Sequence, residues 1–211
     1  PMIGSKSVTG NSVTGVSWAS TFNKIAEGYD SLYVEEIHKL EDAVVFADMA
    51  RRGLYRCVNI LDLGSGTGLF LEGETEVHPA RYHGIDFSEG MVDRARKKHS
   101  EHHFQVVDMR EYAETLIDRG AKVDGLVSMY GAMSYVDLES VTEMVENLVA
   151  PEGRFYIMLY GPGRKYDAIY EASGRVGPTL PTWKDVTASF HTLVATCLLY
   201  TSDAADDLLC V

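Results

Sequence analysis

The sequence predicts an α/β protein: one doubly wound domain on a mainly parallel sheet, entered through an N-terminal helical cap. Two observations predict it. From residue 54 onward, short apolar runs alternate with helical stretches, the pattern of repeated βαβ units. The first of those runs also ends in a glycine cluster that opens the next helical stretch, as at the crossover of a ligand-binding parallel sheet. The 211 residues, 45% hydrophobic and 24% charged, are enough to bury one such core.

Taken in order, residues 1–17 hold a single lysine and no apolar core, which predicts a disordered leader and excludes a secretory signal. Residues 18–53 form the cap. Within it, 18–33 and 34–52 read as two helical segments, with Ile37, Leu40, Val44, Ala47 and Met49 near a helical period and Gly53 closing the second. The core spans 54–160. Strands are expected at 57–63 (CVNILDL), 81–86, 104–107, 123–129 and 154–160, and helices at 68–72, 88–98, 110–119 and 138–149. Ser88 and Ser140 are the expected N-caps of the second and fourth of these helices.

Residues 161–196 are rich in Gly, Pro and Tyr, the composition of a lid or substrate segment, and 188–196 can supply one late strand. In the final stretch, 197–211, CLLYTSDAAD looks like a translated transposon-type sequencing adaptor. That predicts an artefactual tail on a metagenomic read, lying outside the fold, and a sheet truncated at its C-terminal end.

The formal net charge is −12, from 31 acids against 19 bases, and the acid excess survives removal of the tail. Such a balance disfavours nucleic acid, whose phosphates demand a basic surface. The one basic cluster, Arg94, Arg96, Lys97 and Lys98, falls at a helix end, where cations suit the dipole. No apolar run approaches the ~20 residues of a membrane span, so no membrane partner is expected. Outside the tail Cys57 is the sole cysteine, which fits a reducing cytoplasm and offers neither disulfide nor metal cluster. His99, His102 and His103 flank a charged loop and read as solvated, not as metal ligands.

The chemistry concentrates in Asp62-Leu63-Gly64-Ser65-Gly66-Thr67-Gly68. Glycines at alternate positions permit a tight turn and close approach of a ligand, and the loop with its helix start is expected to offer unpaired N–H groups. A dinucleotide loop would place Gly or Ala at position 69, where this chain has Leu. Asp62 would repel a pyrophosphate and attract an ammonium. A carboxylate at Asp86, ending the second strand, can accept from both hydroxyls of a vicinal diol.

Together, D-x-G-x-G-x-G after a strand, GIDFSEGM around Asp86 and QVVDMREY around Asp108 resemble the class I S-adenosylmethionine-dependent methyltransferases of small-molecule type, over about two-thirds of the chain. The resemblance implies a Rossmann-like methyltransferase fold with S-adenosyl-L-methionine as cofactor. It implies that Asp62, Gly64, Ser65, Gly66 and Gly68 hold the amino-acid end, Asp86 the ribose, and Met91, Asp108 and Met109 the adenine, with Phe87 also at the cofactor. Tyr29, in AEGYDSLY, would reach the carboxylate end, and Met129 would stand beside the reactive methyl. The expected activity is in-line transfer of a methyl group to an O, N or C nucleophile of a small molecule. Tyr130 and His191 are weak candidates for a base, since orientation can carry much of such a reaction. Two alternatives stay open: a non-catalytic cofactor-binding module, and a transferase using a modified S-adenosylmethionine. The sequence does not indicate an oligomeric state.

Overall fold

A computed structural model describes residues 18–73, 77–160 and 197–200. The expected leader and nearly all of the segment after the core, including His191, lie outside the described residues.

The sheet is parallel throughout: β1 (Ile60–Leu63), β2 (Tyr82–Asp86), β3 (His103–Val106), β4 (Val123–Ser128), β5 (Val149–Tyr160) and β6 (Cys197–Tyr200), in the order β3-β2-β1-β4-β5-β6. The doubly wound architecture is as predicted. β1 is central and buried at every residue, as a strand covered on both faces must be. Its side chains alternate between two cores. Leu61 and Leu63 join Leu126, Val141, Val145 and Leu148 on one face, while Ile60 joins Met49, Phe70, Val92, Val127 and Tyr156 on the other.

Helices α1 (Trp18–Ile25), α2 (Glu36–Arg52), α3 (Glu89–Lys98), α4 (Met109–Asp118) and α5 (Leu138–Leu148) follow the predicted order. Gly53 ends α2 at φ 80°, as expected, and the Ser88 hydroxyl accepts from the Met91 N–H at 3.2 Å to start α3.

Four expectations are corrected. Residues 18–33 are not one helix but α1 followed by a 3₁₀ stretch, Ala26–Tyr33, where Gly28, Asp30 and Ser31 are poor helix formers and Ser31 Oγ donates to the Gly28 carbonyl at 2.6 Å. The stretch after the glycine loop is a single 3₁₀ turn, Leu69–Glu72, stopped at Gly73, where a Cβ would lie 2.1 Å from Tyr55 Oη. Asp137, not Ser140, caps α5: its carboxylate accepts from the Ser140 N–H at 2.8 Å and from the Ser140 hydroxyl at 2.7 Å. A carboxylate one turn earlier is the better acceptor for that amide.

Of the apolar face assigned to α2, Ile37, Leu40 and Val44 are exposed and Met49 alone is buried. The face turned to the protein carries His38, Asp42, Val45 and Met49 at helical spacing, polar over the cleft and apolar over the core. Cys197–Tyr200, at the start of the expected tail, pair with Ile157–Tyr160 of β5. An apolar, β-compatible run finds an open strand edge there.

Candidate functional site

Strand order reverses between β1 and β4, which are neighbours in the sheet, and ligands of open parallel sheets bind at the carboxyl side of such a switch. Two short segments meet there: the glycine loop after β1, and the turn of Met129, Tyr130 and Gly131 after β4. Gly64 sits at φ 75°, and a Cβ on it would lie 2.3 Å from the Ala132 Cβ, so no other residue fits that contact. Gly66 is different. At φ 53° a Cβ would meet nothing within 4 Å, and this side of the loop opens onto the cleft.

The loop is bound to its own sheet. The Gly64 and Ser65 N–H groups donate to the Ile85 carbonyl at 2.9 and 2.8 Å, Gly66 N–H to Asp86 Oδ2 at 3.0 Å, and Gly68 N–H to the Ser65 carbonyl at 2.9 Å. The expected row of unpaired amides is therefore largely engaged, because the loop folds back over the end of β2 in place of running into an α-helix. The Ser65 hydroxyl is the exception. The residue is buried and lines the cleft, and its Oγ has no hydrogen-bond partner.

Asp86 is buried, accepts from Gly66 and Ser88 N–H groups, and is pushed up to about 6 by that burial. Each carboxylate oxygen retains a lone pair for a further donor. Phe87 packs edge-on against Phe22 of α1 at 5.8 Å. Asp108 caps α4 through the Arg110 N–H at 2.9 Å and is gripped by the Arg110 guanidinium at 3.1 and 3.2 Å. Burial works against its charge, but Arg110 outweighs burial and holds the carboxyl below the usual range. Met109 lies against Gly64, and Met129 lines the cleft.

Of the residues predicted at the cofactor, Tyr29, Gly64, Ser65, Gly66 and Met129 line the cleft, whereas Asp62, Gly68, Asp86, Phe87, Met91, Asp108 and Met109 do not. Met91 is only 2% exposed, inside the packing of α3. Asp62 is equally buried beneath the loop, where Tyr82 Oη donates to it at 2.7 Å. Burial pushes its carboxyl up to about 7, against the Tyr82 bond and with the nearby Asp86 charge. It supports the loop from below. The three loop histidines likewise diverge: His99 packs beside Gly68, His102 bonds the Val77 carbonyl at 2.9 Å, and His103 faces His83.

The second wall of the cleft is the cap. Tyr29, Asp30 and Tyr33 of the 3₁₀ stretch and His38, Glu41 and Asp42 of α2 face the glycine loop across a space of about 220 Å³. Polar bonds fasten this wall. Asn23 Oδ1 accepts from Ser88 Oγ at 2.7 Å and Gly90 N–H at 2.9 Å. Asp30 accepts from Thr67 Oγ1 at 2.6 Å and pairs with Lys98 and Arg94 at 3.2 and 3.4 Å. Tyr130 Oη, on a non-glycine residue at φ 48°, donates to Asp42. Asn23, Asp30, Asp42 and Thr67 were not singled out from the sequence. Asp42 was findable only as the residue one helical turn after His38, and Thr67 only as one of the loop's two non-glycines.

Residues 60–153, a little under half of the chain, match the family model described as a methyltransferase domain. No curated protein matches the chain in sequence. Among solved structures, DesVI from Streptomyces venezuelae is 27% identical at a TM-score of 0.51, over 65% of this chain and 58% of its own. The DhpI–SAH complex is 18% identical at a TM-score of 0.55, over 81% of this chain and 82% of its own. A SAM dependent methyltransferase from Archaeoglobus fulgidus is 21% identical at a TM-score of 0.50, over 66% of this chain and 63% of its own. The chain thus spans well under two-thirds of the length of DesVI. The latter two establish the fold alone. The fold is the Rossmann-like methyltransferase fold, and the resemblance carried by the glycine and aspartate motifs is borne out by the matched domain.

Proposed function

We propose that this chain binds S-adenosyl-L-methionine and transfers its methyl group to a small molecule. The observation that carries the proposal is the union, at the sheet's switch point, of the open glycine Gly66 with the Asp86 carboxylate, inside the matched methyltransferase domain. The residues fit the cofactor on their own chemistry. The orphaned Ser65 hydroxyl on the cleft wall wants a polar partner, and Asp86 keeps acceptor capacity for a ribose diol.

Asp108 and the Met109 N–H would meet the adenine edge, Phe87 and Phe22 its face, and Tyr29 the carboxylate end. The cofactor supplies an electrophilic methyl on a sulfonium. What the chain supplies is alignment of that methyl with an O, N or C nucleophile and exclusion of water, which can account for much of the rate. Asp62 and Met91 hold the loop and α3 in place. The cap and the 161–196 segment are proposed to choose the acceptor. The acid surplus favours a small molecule over nucleic acid, and a cytoplasmic setting is part of the same proposal. No described helix is long and apolar enough to cross a membrane.

Calorimetric titration with S-adenosylmethionine tests this. Binding is expected, weakened about tenfold in Asp86→Asn through loss of a charge-assisted bond. It should also weaken as pH falls through about 6, where Asp86 takes up its proton. A well-folded chain that does not bind overturns the proposal, and binding without methyl release on any acceptor would recast the protein as a non-catalytic module.

A further inference from the structure

Among the described residues, the large apolar side chains left exposed gather on the cap: apart from Val58 and Val106, every one lies between residues 25 and 44. Such a concentration marks a binding surface, whereas scattered apolar residues are ordinary. On α2 they form a stripe behind the cleft, which His38 and Asp42 of the same helix face. Along the helix that stripe reads Glu36, Ile37, Leu40, Val44, Ala47 and Arg51, all of them exposed, with Ala43 and Ala50 exposed beside it. The order is self-complementary. With a second copy of α2 laid antiparallel about a dyad between residues 43 and 44, Glu36 meets the partner's Arg51 and Ile37 the partner's Ala50. Leu40 then meets the partner's Ala47, and Val44 the partner's Ala43. Every such pair joins a larger side chain to a small one, or an acid to a base. Arg51 also pairs with Asp48, but its side chain remains 69% exposed. A lipid surface is the poorer partner. Acids open the helix and the chain carries a net −12, whereas interfacial helices use Lys and Arg to meet anionic headgroups.

We infer that this chain forms a twofold-symmetric dimer through the outer face of α2, with the two helices packed antiparallel. The contact lies behind the cleft, so it goes beyond the proposed methyl transfer and does not depend on it. Ala43, Ala47 and Ala50 let the two helix axes approach closely, and the larger side chains of each copy pack over the other's alanines. The 17 residues of α2 make a helix about 25 Å long, so the pair buries on the order of 500 Å² per copy, below the ~800 Å² of a standard interface. That size sets a weak association, with Kd on the order of 10–100 µM. In dilute protein the copies separate and the stripe stands in water. In the dimer each α2 braces the other's cap wall from behind.

Sedimentation velocity of the full chain between about 1 and 500 µM, a range that spans the expected Kd, tests this. The mass should rise from one chain to two. Leu40→Glu puts a charge into the contact twice over and should weaken association more than about tenfold, with the melting midpoint little changed because the position is exposed. Glu36→Arg or Arg51→Glu alone should weaken it about three- to tenfold, and the two together in one chain should restore it to within about threefold of wild type. Cysteines read the orientation. Ala43→Cys, beside the dyad, should link two copies with a short bismaleimide, whereas the two copies of Ala50→Cys lie about 20 Å apart along the axis and should not link. A single-chain mass at every concentration overturns the inference. So does a dimer indifferent to Leu40→Glu, a double charge reversal no tighter than the single ones, or equal linking at positions 43 and 50. Co-sedimentation with phosphatidylcholine–phosphatidylglycerol vesicles that is lost in Leu40→Glu would assign the face to a lipid surface and overturn it as well. Cofactor binding is read in the calorimetry, separately from this series.

Discussion

The two walls of the cleft are held by different forces. The sheet wall rests on β1 and β4, whose residues are almost all buried between two apolar cores. The cap wall buries only Val45 and Met49 of α2, and is fastened instead by Asn23, Asp30 and Asp42 to partners on α3, the glycine loop and the β4 turn. Apolar burial is not screened by salt and is nearly indifferent to pH, whereas exposed ion pairs are sensitive to both. The lesson is that one wall is fixed and the other adjustable, an arrangement suited to a constant cofactor facing a variable acceptor.

The strongest way to break this comparison is to truncate a leucine on each side. Leu126→Ala, at a fully buried position in β4, should cost about 2–5 kcal/mol of unfolding free energy, whereas Leu40→Ala on exposed α2 should stay within about 0.5 kcal/mol. Urea denaturation measures both, and comparable losses would mean that the α2 face is buried after all.

A second contrast lies beneath the sheet wall itself. Asp62 is pushed up to about 7 in the folded state, so the native protein holds that proton more tightly than the unfolded chain. The stability this contributes is fully present below the unfolded value near 4 and is lost as pH rises through about 7. Asp62→Asn should therefore gain on the wild type steadily between pH 4 and 8 in denaturant midpoints. A constant difference across that range would contradict the buried, raised carboxyl.

The cap should show its weakness without global unfolding. Asp30→Asn removes the ion pairs to Lys98 and Arg94, and limited proteolysis or hydrogen exchange should find residues 26–35 opening faster while the melting midpoint changes little. Added salt should produce the same opening in the wild type. Smallest of all is the capping contrast on α5: Asp137→Ala should cost about 1 kcal/mol and Ser140→Ala less, as the corrected cap requires.

Much of the sheet was legible because parallel strands are short, apolar and punctuated. Five of them, their order along the chain and the Ser88 cap follow from local pattern. The 3₁₀ turn after Gly68 was not legible, since Leu69–Glu72 read equally well as a helix start and its shortness depends on Gly73 meeting Tyr55. Nor was the inward face of α2. Ile37, Leu40 and Val44 make the better apolar stripe, but that helix covers a polar cleft over half its length, so the stripe of His38 and Asp42 wins.

By itself, then, the sequence determined the doubly wound sheet, the glycine loop and the acids at successive strand ends. These follow from backbone freedom at glycine and from the two-residue and 3.6-residue periods, all of them local properties. Tertiary structure alone decided what those groups face. It put Asp62 under the loop and not in the cleft, turned the loop amides inward to Ile85 and Asp86, and brought Asp42, 88 residues away in sequence, onto Tyr130. Such pairings depend on how separate elements pack, and no local pattern encodes them.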